Sequence, residues 1–349
     1  MGEKIKIGLI GAGDIGSAHV AASRELDDVE FCVAAGRNPE RAKVLSEATG
    51  ATLYQSVEEL LKDEWVQGVD ICVPNHLHRE YAERAFDAGK HVLCEKPIAL
   101  TLEDADAMIK AARNANRILF VGHILRFWPE YAMAKAWVDS QGPDHVLVIS
   151  ARRLGSLLAA TTGADGWRHH PGQSGGAVID LQIHDIDFLN WTLGTPVRVQ
   201  SKGIRSPDGA ISYVSTAIDY ANGATGFVEA SFMFKGNPLL MDFRVLSKEQ
   251  SVEYLYKPQG FGLHGIKVDT QEDPEPSLEE YSWGKEKLSL FQPSEDSFRA
   301  AIRKEVSHFV NCIINGEDSL EISPEEARKA LEVCLHSKQS CEEGRSIEI

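Results

Sequence analysis

Three observations predict an α/β protein with a doubly wound parallel sheet at its N-terminus and an α+β domain after it. Over residues 1–123, short Val/Ile/Leu-rich runs alternate with helical stretches, the signature of βαβ units. A glycine-rich turn, GAGDIG at 11–16, joins the first run to the first helix. After His123 the alternation stops, and strand-like segments follow without helices long enough for parallel crossovers.

Taken in order, KIKIGLI (4–10) reads as a strand, followed by a helix through about Ser23. VEFCVAA (29–35) is the second strand. Asn38 and Pro39 then supply an N-cap and a first helical residue, and Gly50 a helix stop. GVDICVP (68–74) and KHVLCEK (90–96) are buried-strand runs separated by a helix from about His76 to Ala88. Thr101 and Asp104 resemble a capping box, with Asp in place of Glu or Gln. The helix they open runs to about Asn114, and RILFVG (117–122) is a further strand. The chain therefore divides into a dinucleotide-binding domain, 1–123, and a substrate-binding and oligomerisation domain, 124–349.

In the second domain, strand segments at 145–153, 196–204, 211–220, 224–234, 240–247 and 250–257 read as an antiparallel sheet. Such a sheet can leave one face for a ligand or another subunit. A helix over about 176–193 covers part of it. Residues 258–293, centred on QEDPEPSLEE, read as an irregular excursion. Helices at about 295–315 and 324–341 finish the chain, the second opened by Ser323 and Pro324.

The formal charge of −16 argues against a nucleic-acid partner, which needs a basic face. No apolar run is long enough for a bilayer and the start lacks signal-peptide anatomy, so no membrane partner is expected. The six cysteines include no Cys-x-x-Cys pair, and Cys32, Cys72 and Cys94 sit in strand candidates. That usage fits a reduced compartment, and the expected location is cytoplasmic.

GAGDIG matches Gly-x-Gly-x-x-Gly at Gly11, Gly13 and Gly16, with Asp14 and Ile15 inside the turn. Gly11 permits the tight turn, Gly13 lets a pyrophosphate approach the backbone, and Gly16 lets the helix pack against the strand. The helix N-terminus adds unpaired N–H groups and positive potential. The end of the second strand reads AAGRNPE. Gly36 stands where an acid for a ribose 2′-hydroxyl is expected, and Arg37 follows. A guanidinium in place of a carboxylate suits a 2′-phosphate, so NADP is favoured over NAD.

GGAVIDLQIHDID (175–187) puts three Asp and a His into an otherwise apolar stretch. At about 100° per residue, Asp180, His184 and Asp187 share a stripe roughly 60° wide, while Asp185 points elsewhere. A helix apolar nearly all round is buried, and buried polar groups need partners. The stripe has three readings: a metal set of one His and two carboxylates, a structural network, or a proton-transfer site. No further metal ligand is evident, so no metal is expected. His, with an unperturbed pKa of ~6.5 against ~10.4 for Lys, suits proton transfer near neutrality.

Glu95-Lys96-Pro97 leaves the 90–96 strand on the edge where a cofactor lies, and Pro97 biases Lys96 toward an extended conformation. The glycine motif, this triplet and the Gly-Gly…Asp…His-Asp-x-Asp segment occur in that order. With them the whole chain resembles the Gfo/Idh/MocA family of glucose–fructose oxidoreductases and inositol dehydrogenases. PNHLH (74–78) resembles the family's cofactor-side loop.

The resemblance implies a Rossmann domain and a substrate domain with an open, mostly antiparallel sheet. It implies NAD(P)-dependent hydride transfer at a secondary alcohol or ketone carbon of a sugar or cyclitol. Lys96, Asp180 and His184 would be the catalytic trio. Pro74, Asn75, His78, Glu95 and Lys96 would join the glycines and Arg37 around the cofactor. His123 and Arg126 after the last parallel strand, with Trp167 and Arg168 before the catalytic helix, are candidates for binding substrate. A homodimer or homotetramer through the exposed sheet is the expected assembly. A lyase or glycosidase using transient oxidation, and a non-catalytic dinucleotide sensor, are the alternative functions.

Overall fold

A computed structural model describes residues 4–156, 166–234, 239–256, 277–283, 286–292 and 297–349. The chain divides into two compact units. The first holds residues up to Ile124 and Phe298–Arg328; the second holds the described residues from Leu125 to Ser297 and Lys329–Ile349.

The first unit is a six-stranded parallel sheet in the order β3-β2-β1-β4-β5-β6. Its strands are β1 (Ile5–Ile10), β2 (Val29–Ala34), β3 (Thr52–Tyr54), β4 (Val66–Ile71), β5 (His91–Glu95) and β6 (Leu119–Gly122). Ile7, Leu9, Val33, Val69, Ile71, Val92 and Phe120 are fully buried. A sheet covered on both faces requires such continuous apolar runs.

The helices between them are α1 (Asp14–Ser23), α2 (Pro39–Thr49), α3 (Val57–Lys62), α4 (His78–Asp87) and α5 (Leu102–Ala115). The expected caps are formed: Asn38 accepts from the Arg41 amide, Thr101 accepts from the Asp104 amide, and Gly50 is left-handed at φ 76°. The Asp104 side chain accepts from Arg79. β3 and α3 lie in a stretch the sequence reading left unassigned.

The second unit is a nine-stranded sheet, β13-β14-β12-β11-β7-β10-β9-β8-β15. β7 (Val146–Leu154), β8 (Pro196–Arg205), β9 (Ile211–Tyr220), β10 (Thr225–Ser231), β11 (Leu240–Ser247) and β12 (Gln250–Tyr256) fall on the expected segments. Most pairs are antiparallel, but β7–β10 and β12–β14 are parallel. β13 (Ser277–Trp283) and β14 (Glu286–Gln292) form a hairpin, which corrects the irregular reading of that stretch. Residues 258–276, including most of QEDPEPSLEE, lie outside the described residues.

α6 (Pro129–Gln141) and α7 (Ile183–Leu193) pack here. Tyr131 from α6 and Phe188 from α7 meet at 4.8 Å, and both meet Phe243 of β11. α8 (Ser297–Asn315) and α9 (Pro324–Glu343) close the fold, and β15 (Ile347–Glu348) pairs with β8. Ser323 and Glu326 form a reciprocal capping box before α9.

From Phe298 onward α8 belongs to the first unit, although the sequence reading puts 124–349 together. Its Phe309 lies 6.1 Å from Phe120, and its Ile313 lies close to where a side chain on Gly68 would project. The apolar face of Ala301, Ile302, Val306, Phe309 and Val310 is buried. That face explains the placement, because sequence distance does not restrict which sheet a helix covers.

Candidate active site

The glycine turn sits where β1 and its neighbour β4 send their chains in opposite directions. This is the switch point at which doubly wound sheets bind ligands. Gly11 has φ +112°, and a Cβ there would lie 2.4 Å from the Cys72 carbonyl oxygen. A Cβ on Gly16 would lie 2.3 Å from the Gly11 oxygen and 2.9 Å from Leu9. At Gly13 a Cβ would meet nothing within 4 Å. Two glycines are thus required by the fold, while the third leaves open space beside the backbone. Gly13 is also the N-cap of α1 and gives no side-chain cap bond. The first-turn amides, from Asp14 and Ile15 on, therefore remain for an anion, and the residues fit a dinucleotide.

The other candidates in this unit cluster at the carboxyl ends of its strands. Gly36 and Arg37 are exposed just past β2. Pro74 and buried Asn75 follow β4. His78 is fully buried, with Nδ1 2.8 Å from the Pro97 oxygen and Nε2 3.0 Å from the Val73 oxygen. It sits between the loop after β4 and the turn after β5, and its neutral ring donates to one of the two carbonyls. Burial, against the pull of these carbonyls, lowers its pKa. Glu95 ends β5, and its Oε2 accepts from the Lys96 amide at 3.2 Å. Lys96 is half-buried, and its bond to Pro97 is cis. His123 is buried immediately past β6.

In the second unit, Gly175 (φ 79°) and Gly176 (φ 70°) turn the chain into Ala177–Leu181, a wide π-helical turn that leads into α7. A Cβ on Gly176 would sit 2.9 Å from the Ile211 oxygen, so the turn lies directly on β9. Asp180 is buried and accepts from Arg168 Nε at 2.9 Å. That guanidinium lies 4.4 Å from the Trp167 ring centroid, a cation–π contact. His184 is half-buried one turn on.

Asp187, the third member of the stripe, has an arginine partner of its own. Asp187 takes a bidentate pair from Arg126, at 2.9 and 2.8 Å, and Arg126 also lies over Trp191. Asp185 takes a second bidentate pair from Arg153, at 3.0 and 3.1 Å, with both residues buried. Burial, only partly offset by Arg153, raises the Asp185 pKa. Asp185 and Asp187 thus each pair with a buried guanidinium.

Sequence reasoning missed Gln182. Its amide donates to Thr216 at 2.9 Å and its carbonyl accepts from Ser337 at 3.3 Å, anchoring the segment between Asp180 and His184. A lone Gln in an apolar run was the available signal.

A doubly wound unit with a glycine-rich turn at its switch point, joined to a mixed-sheet unit, is the architecture of a two-part dinucleotide-binding protein. Residues 5–123 match the Gfo/Idh/MocA oxidoreductase family, NAD-binding Rossmann fold, and residues 131–253 match the Gfo/Idh/MocA C-terminal domain. The chain is 30% identical over 290 residues to levoglucosan dehydrogenase of Pseudarthrobacter phenanthrenivorans, covering 73% of this chain and 74% of that one. It is 28% identical over 352 residues to D-xylose 1-dehydrogenase (NADP(+)) 2 of Haloferax volcanii, covering 98% and 99%. A solved structure of levoglucosan dehydrogenase with NADH and L-sorbose superposes with a TM-score of 0.84 at 22% identity, covering 100% of this chain and 99% of that one. The chain belongs to the Gfo/Idh/MocA family and is an NAD(P)-dependent oxidoreductase acting on CH–OH groups.

Proposed function

We propose that the protein interconverts a secondary alcohol and a ketone on a sugar or cyclitol, with NADP preferred to NAD. The observation that carries this is Lys96, which leaves β5 on the same sheet edge as the Gly11–Gly16 cradle. Bound there, the nicotinamide supplies the hydride acceptor or donor. Gly11, Gly13, Asp14, Ile15 and Gly16 hold the pyrophosphate, with Pro74 and Asn75 beside them.

Lys96 binds the reacting oxygen and stabilises negative charge on it. His184 takes the proton in oxidation and returns it in reduction, since an imidazole can both accept and donate a proton. Asp180, fixed by Arg168, orients a substrate hydroxyl. Trp167, stacked beneath Arg168, offers a flat apolar face to a sugar ring, and His123 binds at the cofactor side. Gly36 leaves room for a 2′-phosphate, and Arg37 supplies its countercharge.

The test is steady-state nicotinamide reduction with NADP and with NAD on D-xylose, levoglucosan, myo-inositol and their relatives. Parent turnover that Lys96→Ala and His184→Ala each lose by about 100-fold or more is expected. Full activity in either variant would refute its role. Arg37→Ala should weaken NADPH binding about tenfold and leave NADH unchanged; equal effects would remove the NADP preference.

A further inference from the structure

The first unit buries an acidic cluster beneath the turn that carries Lys96. His19, on α1, is 1% exposed. Its Nδ1 lies 2.8 Å from Asp70 Oδ2 on β4, and its Nε2 lies 3.3 Å from Glu95 Oε1 at the end of β5. Glu305, on α8, is completely buried, and neither carboxyl oxygen has a hydrogen-bond partner among the described residues. One ligand atom each of His19, Glu95 and Glu305 lie within 4.8 Å of one another. On β6, a Cβ at Gly122 would meet Glu305 Oε1 at 3.4 Å and Glu95 Oε1 at 3.5 Å. Glycine there leaves room for both carboxyls.

Charge decides what Glu305 must be. An imidazole with a carboxylate at each nitrogen is favoured as imidazolium. Burial is the largest single influence and works against that charge, but Asp70 and Cys72 together outweigh it and hold the His19 pKa well above its ordinary value. Burial also works to raise Glu95, while the His19 contact and the Lys96 charge bring it below the usual carboxylate range. The His19 imidazolium then sits against the Asp70 and Glu95 carboxyls, and Lys96 acts on Glu95 from the turn. A third carboxylate would be an unpaired buried charge, which is costly. Two carboxylates cannot hydrogen-bond each other, but a carboxylic acid and a carboxylate can.

We propose that Glu305 is a neutral carboxylic acid at neutral pH and donates its proton toward Glu95, which makes it a positioning residue for the turn that presents Lys96. The proton stays between the two carboxyls, and no bond to carbon changes. Glu95 uses Oε2 for the Lys96 amide and Oε1 toward His19, so what fixes this carboxylate fixes the start of the turn. The groups that bear on Glu305 are Glu95 from β5, His19 from α1 and Asp70 from β4; Lys96 and His78 bear on Glu95, and Cys72 and Cys94 face Asp70 and Glu95. Burial first, and then the Glu95 charge, push the Glu305 pKa well above the carboxylate range. The kinetic half of this inference rests on the catalytic reading of Lys96; the protonation half does not.

An acid whose folded pKa exceeds its unfolded ~4.3 keeps an extra proton when folded, so stability falls as pH rises between the two values. Gln cannot ionise. The melting temperature of the parent should therefore fall steadily relative to Glu305→Gln between about pH 5 and pH 8, and a constant difference would overturn the proposal. Infrared difference spectra of parent against Glu305→Gln at neutral pH should show a neutral carboxyl C=O stretch in the parent; its absence would overturn it. Stabilisation of the parent but not Glu305→Gln by Zn²⁺ would put a cation where we place a proton, and would also overturn it.

For positioning, Glu305→Ala should lower kcat on the best panel sugar by about 10- to 100-fold with a smaller change in KM. Glu305→Gln should rescue most of that loss. Equal loss in both variants would contradict a neutral donor. Full turnover in Lys96→Ala would end the catalytic reading while leaving the pH slope and infrared band intact, so the two failures are distinguishable.

Discussion

Asp180 and Asp187 share one apolar segment and end with different partners, Arg168 for one and Arg126 for the other. The π turn before α7 widens the backbone, so a reading at constant helical pitch loses phase across it. Asp185 shows how exacting the buried pairs are. Asp185→Ala strands the buried Arg153 charge, and chemical denaturation should report a loss of about 3–5 kcal/mol. A loss under about 1 kcal/mol would mean that water reaches the pair. The glycines separate fold from binding in the same way. Gly13→Ala should melt near the parent temperature and bind NADPH about tenfold more weakly by fluorescence titration. Gly16→Ala should lose about 1–3 kcal/mol of stability as well, because its Cβ meets backbone. These roles were legible because the spacing itself encodes a backbone requirement. The Arg partners were not, since no local pattern says which arginine a buried aspartate meets.

At the scale of elements, β5 carries both a stability device and the candidate site. His91 opens the strand, and its Nδ1 accepts from the Ile118 amide at 3.1 Å. Burial, with a smaller push from Arg117, lowers its pKa to about 4. The unfolded chain, near ~6.5, binds the extra proton in that window, so stability is present above ~6.5 and lost as pH falls toward 4. His91→Gln should flatten the melting-temperature profile between those values. An unchanged profile would exclude His91 as the source. Elements with strong periodicity and proper caps, such as α2 and α5, could be placed from sequence nearly to the residue. β3 and α3 are too short for a periodic signal. α6 hides because its buried positions, Pro129, Glu130, Tyr131, Ala134 and Val138, include a charged residue and so blur the apolar stripe. The parallel β7–β10 pair is non-local, and strand patterns carry no pairing partner.

At the scale of the whole molecule, the nine-stranded sheet carries exposed apolar side chains on several strands: Ile204 on β8, Phe227 on β10, Leu246 on β11 and Leu255 on β12. Exposed apolar area of this kind marks an interaction surface, and we propose that a second copy covers it. Sedimentation should give a dimer or tetramer, and Phe227→Lys with Leu255→Lys should shift it toward monomer; a monomeric parent would refute this. No helix among the described residues is long and apolar enough to cross a membrane. Net hydride transfer from a carbinol carbon is what separates a dehydrogenase from the alternatives. The most direct measurement is turnover of a panel sugar deuterated at the oxidised carbon, with the label followed by mass spectrometry. Direct hydride transfer puts stoichiometric deuterium on the reduced nicotinamide and none in water. Product formed with no net change in nicotinamide, or label washed into solvent, would contradict it and would point to bond cleavage through a transient oxidation.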